Sequence, residues 1–297
     1  MAQRAQTLLW PLFGLASLAL AASHLGALHA LGDSLAVFRL HFVALAAALA
    51  LALAVTGRRV GLVLAVAAVL GGGQAVWGWV WSPGGAGAGT LTVYQKNLSF
   101  RLADPEAVAA DILAAGPDIV TLQEVTGRTA AVLDALAESY PTQLRCPFAA
   151  VGGVAVASRF PAVPGSGTCA EGQGLAALRV ETPSGPVTLA SLHLHWPWPY
   201  RQRDQLRRLL PHLAALTGPV VLGGDFNMVP WSHTVRRVEA ATGALRTGPA
   251  RPSFPRWSWL PLPIDHVLAP GGTGQTQIRP RLGSDHRGLL ARVGAGG

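Results

Sequence analysis

The sequence predicts an α/β domain of two packed, mixed sheets flanked by helices, preceded by three transmembrane helices. Three observations point there. Residues 1–82 hold only five charged side chains, Arg4, Asp33, Arg39, Arg58 and Arg59. Beyond them, short apolar runs suited to buried strands alternate with amphipathic segments suited to helices. Several of those runs end in isolated polar residues: Asn97, Glu124, His193, Asp225 with Asn227, Asp265, and Asp285 with His286.

The apolar third comes first. A bilayer crossing needs about 20 apolar residues at a rise of about 1.5 Å each, and segments 8–28, 40–55 and 60–81 meet or approach that length. A cleaved leader describes the first poorly, because two more apolar segments follow. Trp77, Trp79 and Trp81 stand where an interfacial aromatic belt belongs. Arg4 precedes the first span and Arg58–Arg59 separates the second from the third, whereas the loop between the first two has Asp33 and Arg39. The positive-inside rule then keeps the N-terminus in the cytoplasm and delivers the rest of the chain across the membrane. The Gly-rich stretch 83–89 reads as a flexible linker. The expected organisation is an anchor at 1–82, that linker, and a soluble domain at 90–297.

Past residue 82 the chain holds 14 acidic and 19 basic residues, part of an overall net charge of +8. A nucleic-acid partner does not follow, since the basic residues are mostly arginines scattered singly. The densest group, at 201–208, alternates with apolar positions and reads as a solvated helix face or as a rim for an anionic substrate. The two cysteines, Cys146 and Cys169, would pair in an oxidising compartment or remain free thiols. Their spacing does not suggest structural zinc.

Within the soluble part, strands are expected at 90–97, 118–123, 151–158, 174–180, 187–193, 220–222, 264–268 and 288–293. Helices are expected at 104–115, 127–139 and 201–216. Asp104 caps the first of these ahead of Pro105, and Gly116–Pro117 stops it.

The polar strand ends carry the chemistry. In Gly223–Gly224–Asp225–Phe226–Asn227, paired glycines permit a tight turn and close approach of a ligand. Asp225 and Asn227, two apart, point to one side. A carboxylate there holds or deprotonates a water, and a neutral amide donates to a phosphoryl oxygen. Asp265 suits the orienting partner of a histidine, while His266 faces the other way. Glu124 at the end of a buried strand is costly unless paired or metal-bound. Such oxygen ligands suit Mg²⁺ or Mn²⁺, not zinc. His193 and His195 share a face, and one of them suits phosphate contact.

Taken in order, NLS, QE, LHLH, GDFN, IDH and SDH resemble the endonuclease/exonuclease/phosphatase superfamily, over residues 90–293. The resemblance implies a four-layer α-β-β-α sandwich with its site at one edge of the two sheets. It implies a divalent ion, usually Mg²⁺ with Mn²⁺ as the alternative, at Glu124, Asn97 and Asp285. His193 would contact the phosphate, Asp225 would position or activate the water, and Asn227 would steady the transition state. Asp265 and His286 would form the Asp–His pair. Asn227, His193 and Trp198 are the expected substrate contacts. Three spans ahead of the domain resemble a bacterial branch of the family, implying a multi-pass inner-membrane protein with a periplasmic catalytic domain.

The expected reaction is Mg²⁺-dependent hydrolysis of a phosphodiester or phosphomonoester. Expected partners are the bilayer and a substrate that is either nucleic acid or a membrane-derived phosphoester; no protein partner is inferable. Trp196 and Trp198 would line an apolar substrate rim or belong to the core. The alternative of another class is a membrane-anchored binding module with a silent site.

Overall fold

The structure, a computed structural model, describes residues 2–81, 91–257 and 260–294. The linker expected at 83–89 lies outside these described residues. The chain begins with α1 (Ala2–Ala22), a 3-10 turn at Leu25–Ala27, α2 (Ala30–Ala36), α3 (Arg39–Val55) and α4 (Val60–Val80). There follow β1 (Leu91–Asn97), α5 (Pro105–Ala115), β2 (Ile119–Val125), α6 (Ala131–Leu136), β3 (Thr142–Ala149) and β4 (Gly152–Ser158). Next come β5 (Thr168–Ala170), β6 (Leu175–Thr182), β7 (Gly185–His193), α7 (Gln202–Ala214), β8 (Val220–Asp225) and α8 (His233–Thr242). The chain closes with β9 (Ala244–Arg246), β10 (Phe254–Trp257), β11 (Leu260–Leu262), β12 (Asp265–Pro270), β13 (Gly274–Arg279) and β14 (Gly288–Val293).

Two six-stranded sheets form, in the orders β13-β14-β1-β2-β4-β3 and β5-β6-β7-β8-β12-β9. Between them Val93, Ile119, Leu189, Val221, Val267 and Leu289 make a continuous apolar layer. α5 and α6 cover the outer face of the first sheet through Val108, Ile112 and Leu136. α7 and α8 cover the second through Leu206, Leu209, Val235 and Val238. This is the expected four-layer order, and it needs every central strand apolar on both faces. Cys146 and Cys169 are joined as a disulfide with Cα atoms 5.4 Å apart. The bond staples β3 to β5, the neighbouring edge strands of the two sheets.

Most soluble elements fall where the sequence places them. The helix expected at 127–139 shrinks to Ala131–Leu136, because Thr126 and Thr129 exchange side-chain bonds that hold a turn before it. α8 was not expected from the pattern, although Ser232 caps it through a bond to Val235 N at 3.1 Å and Gly243 ends it in the left-handed region.

In the N-terminal part, 3–22 and 60–80 are each long and apolar enough to cross a membrane. The third expected span differs. α3 has 17 residues, and reaches a spanning length only together with α2, across a 70° bend. The helices meet on small residues: a Cβ on Gly61 would lie 2.3 Å from Ala50 O. Large apolar side chains such as Leu8, Leu15, Leu18, Val63 and Leu70 point outward.

Candidate active site

Strand register assembles the site. β1 and β2 run parallel with Asn97 opposite Gln123, and β7 and β8 run parallel with His193 opposite Asp225. β12 runs antiparallel to β8 and sets Asp265 opposite Asp225. The polar ends of both sheets therefore share one edge of the sandwich. There they line a cleft of about 320 Å³ together with Phe100, Phe148, Trp196 and Phe254.

His286 Nδ1 lies 2.8 Å from Asp265 Oδ2, and the other oxygen of Asp265 accepts from Gln95 Nε2 at 3.0 Å. With Nδ1 so engaged, Nε2 is presented 3.7 Å from Asp225 Oδ2. His193 Nε2 approaches the same oxygen at 3.5 Å. Asn97 Nδ2 bridges Asp225 Oδ2 at 3.0 Å and Glu124 Oε1 at 3.1 Å. The remaining Asp225 oxygen accepts from Asn227 N at 2.8 Å. Glu124 and Asn227 both take left-handed backbone (φ 58° and 49°), a conformation that residues bearing side chains rarely adopt.

Burial and charge set the protonation states. Burial alone would lower the His286 imidazole, but Asp265 and Asp225 outweigh it and raise it to about 9. Burial pushes Asp265 up, yet the imidazolium and its hydrogen bond hold it below the usual carboxylate range. Asp225 is raised, chiefly by burial and then by Asp265, against the pull of His286. Burial lowers His193 to about 3, so its ring is neutral. Glu124 is raised by desolvation despite its bonds from Phe100 N and Asn97. An imidazolium and a reluctant carboxylate thus face each other, the poise suited to proton transfer.

The structure brings together His193, Asp225, Asn227, Asp265 and His286, with Glu124 and Asp285 on the cleft wall. Several expectations change. Asn97 Nδ2 orients two carboxylates, and its Oδ1 accepts from Ser99 N at 2.8 Å, which leaves that oxygen one lone pair for a ligand. Trp198 lies outside the cleft and lines a hollow beside Gly26 and Ala30; Trp196 is the tryptophan on the cleft wall. Asn227 spends its amide hydrogens on Leu194 O at 2.8 Å and Asp225 at 3.4 Å, which leaves its buried Oδ1 without a partner. Gly223 serves sheet packing and not ligand approach: a Cβ there would lie 2.2 Å from Thr121 Oγ1 of the facing sheet. His266 points away as expected and bonds Met228 O at 2.8 Å.

Sequence reasoning missed the groups beneath the site. Gln95 Nε2 also donates to Gln123 Oε1 at 2.8 Å, and Gln123 Nε2 donates to Ser191 Oγ at 3.0 Å, a buried amide chain between the sheets. Lys96, buried and lowered to about 8 chiefly by desolvation, donates to Pro280 O and His286 O. Ser284 Oγ donates to Asn97 O and accepts from His286 N. Polar residues interrupting apolar strands were the available signal.

Asp225, Asp265 and His286 lie close enough to hold a metal ion as a group. Both Asp265 oxygens are already engaged by His286 and Gln95, so this trio reads as an oriented histidine. The cleft wall fits a cation better. Glu124, Asp225 and Asp285 offer only oxygen, the donor set of hard divalent ions. Burial raises Glu124 and Asp225 even against the pull of His286, so a cation would relieve their desolvation, and the orphaned Asn227 Oδ1 is a further acceptor.

The sequence matches the model of the Endonuclease/Exonuclease/phosphatase family over residues 58–286. The chain belongs to this family. Its fold recurs in solved structures of low identity. An endonuclease/exonuclease/phosphatase from Beutenbergia cavernae DSM 12333 is 23% identical, with 69% of this chain and 72% of that chain covered and a TM-score of 0.52. An endonuclease/exonuclease/phosphatase family protein from Leptotrichia buccalis C-1013-b is 11% identical, with 69% and 99% covered and a TM-score of 0.54. A mutant beta toxin from Staphylococcus aureus, solved with bound magnesium ions, is 12% identical, with 68% and 99% covered and a TM-score of 0.50. No curated protein matches the chain.

Proposed function

We propose that this family member is a membrane-anchored, Mg²⁺-dependent phosphoesterase that hydrolyses a phosphodiester or phosphomonoester by in-line attack of water. The carrying observation is Asp225, whose Oδ2 meets His286 Nε2 at 3.7 Å on the floor of a cleft, with His286 held by Asp265 from behind.

Asp225 accepts the proton of the attacking water, for which its raised pKa makes it a competent base. His286, held as imidazolium, stabilises charge on the phosphoryl oxygens and delivers a proton to the departing oxygen. His193 stays neutral and offers hydrogen bonding without adding charge. Asn97 keeps Asp225 and Glu124 in register. Glu124 and Asp285 would hold Mg²⁺, with Mn²⁺ as substitute; when bound, the ion neutralises charge on the phosphate. Apolar walls from Phe148, Trp196 and Phe254 exclude water from the reacting groups.

An anchored location is supported by the outward-facing apolar side chains of α1, α3 and α4. The Cys146–Cys169 disulfide supports an oxidising, extracytoplasmic compartment for the catalytic domain, and the placement of Arg4, Arg58 and Arg59 agrees with it. We read the chain as a multi-pass protein of a bacterial inner membrane.

The test is hydrolysis of bis(4-nitrophenyl) phosphate by the full chain in detergent with Mg²⁺. Turnover abolished by EDTA and in Asp225→Ala is expected. A folded wild type without turnover would leave the silent binding module as the reading.

A further inference from the structure

The N-terminal helices join the domain at its catalytic edge. Arg203 Nη2 donates to Ala27 O at 3.0 Å, and Ser34 Oγ donates to Trp198 O at 2.8 Å. Asp33 accepts from His233 N at 2.7 Å and from Thr234 N at 2.9 Å, and Trp231 Nε1 donates to Ala36 O at 2.8 Å. Every domain residue in this set lies in the segments that leave β7 and β8 at the ends bearing His193 and Asp225. α4 then descends from that edge. Its Gln74 accepts from Arg39, its Gly78 O accepts from Ala250 N, and Trp81 O accepts from Arg246 on β9. The apolar bundle therefore rises from the edge of the sandwich that holds the cleft.

Exposed apolar side chains stand on both the bundle and the cleft rim. Leu25 and Leu28 are exposed on the turn before α2. Trp198, fastened to α2 and lining a hollow with Gly26 and Ala30, and Tyr200 are exposed in the segment after β7. Trp196, also exposed, contacts Phe254 with ring centroids 5.8 Å apart, and both line the cleft. Tryptophan and tyrosine with one apolar and one wet end suit the level of lipid headgroups.

We propose that the site acts in cis on a phosphodiester carried by a phospholipid of the same membrane that holds the chain. This rests on the phosphoesterase reading and on the anchor. The exposed leucines and aromatics hold the lipid interface level with the cleft, and the headgroup phosphate enters past Trp196. In the reaction a P–O bond forms from water and one P–O ester bond breaks. One water proton passes to Asp225 and on to solvent, the other remains on the new phosphomonoester, and His286 protonates the departing alkoxide and is reprotonated from solvent. A polymer in solution has no use for such side chains.

The experiment reconstitutes the full chain in vesicles of phosphatidylethanolamine, phosphatidylglycerol and phosphatidic acid. Isotope-labelled lipid is placed either in those vesicles or in protein-free ones. Because tethering raises the effective concentration of membrane-borne substrate, hydrolysis in cis is expected to exceed that in trans by about 100-fold. Leu25→Glu/Leu28→Glu is expected to lower the cis rate about tenfold and to leave bis(4-nitrophenyl) phosphate turnover unchanged. Turnover of the soluble diester without lipid hydrolysis, equal cis and trans rates, or preference for an oligonucleotide would overturn the inference and leave the phosphoesterase reading standing. Failure on every substrate would remove both.

Discussion

Asp33 and Thr234, 201 positions apart, are joined by two hydrogen bonds to one carboxylate oxygen, from the Thr234 hydroxyl at 2.8 Å and from its backbone N–H at 2.9 Å. The other oxygen takes His233 N. A residue of the apolar N-terminal part thus satisfies the first free N–H groups of α8, where Ser232 alone would leave two unmet. α8 is only a short segment beyond Asn227.

Asp33→Ala should therefore cost stability and activity together. Two N–H groups lose their acceptor and the Thr234 hydroxyl keeps only Gln202 Oε1, a loss worth about 1–3 kcal/mol, and the segment carrying Asn227 is freed at its far end. A lower melting temperature and a lower kcat on a soluble diester are expected, with Asp33→Asn intermediate. A wild-type melting temperature would show that Asp33 is no latch.

The Asp265–His286 pair fixes the alkaline side of the pH profile. His286 is needed as imidazolium and is raised to about 9, so kcat should fall as pH passes about 9. Asp265→Asn removes the charge and the carboxylate partner that raise it. Burial then dominates, and the alkaline limb should move down by about 1–3 pH units. Stability follows the same sign: the pair's contribution is complete below the ordinary value of 6.5 and fades as pH rises through about 9. An unmoved limb in Asp265→Asn would reassign the proton transfer away from His286.

The polar strand ends were legible because central strands are otherwise apolar, so each interruption stands out. β1, β2, β7 and β8 were placed for the same reason. α8 was missed because its arginines and single short turn of apolar residues blur the helical period, though its caps were visible at Ser232 and Gly243. β3 was missed because only Cys146 is fully buried along it. Gln95 and Gln123 passed as strand interior, since nothing local says that two amides will meet across paired strands. Trp198 stands outside the cleft because it is held by Ser34, 164 residues away. Long-range pairing decides such positions, and local pattern does not report it.

The disulfide joins edge strands whose remaining contact is modest. Closing a loop of 23 residues' separation is worth about 3 kcal/mol in the chain-entropy model. Cys146→Ser/Cys169→Ser, or wild type under reductant, should melt several degrees lower. Catalysis should persist below that temperature, because neither cysteine lines the cleft. Unchanged melting would mean that the sheets hold these edges without the staple.

Metal binding should be readable without turnover. Glu124 is raised by desolvation, and Asp285 lines the same cleft, so a divalent ion would relieve the cost of keeping these carboxylates charged there. An ion that binds the native state stabilises it by about 2.7 kcal/mol at a hundredfold excess over Kd. Mg²⁺ added to EDTA-treated protein should therefore raise the melting temperature, and Mn²⁺ should do the same. In Glu124→Gln one anionic oxygen donor is gone while the side chain keeps its size, so the rise should shrink sharply at equal Mg²⁺. Ca²⁺, with the same oxygen preference but a larger radius and looser geometry, tests whether the site selects by size. An Mg²⁺ response of wild-type magnitude in Glu124→Gln would move the ion elsewhere in the cleft, towards Asp225 and Asp285.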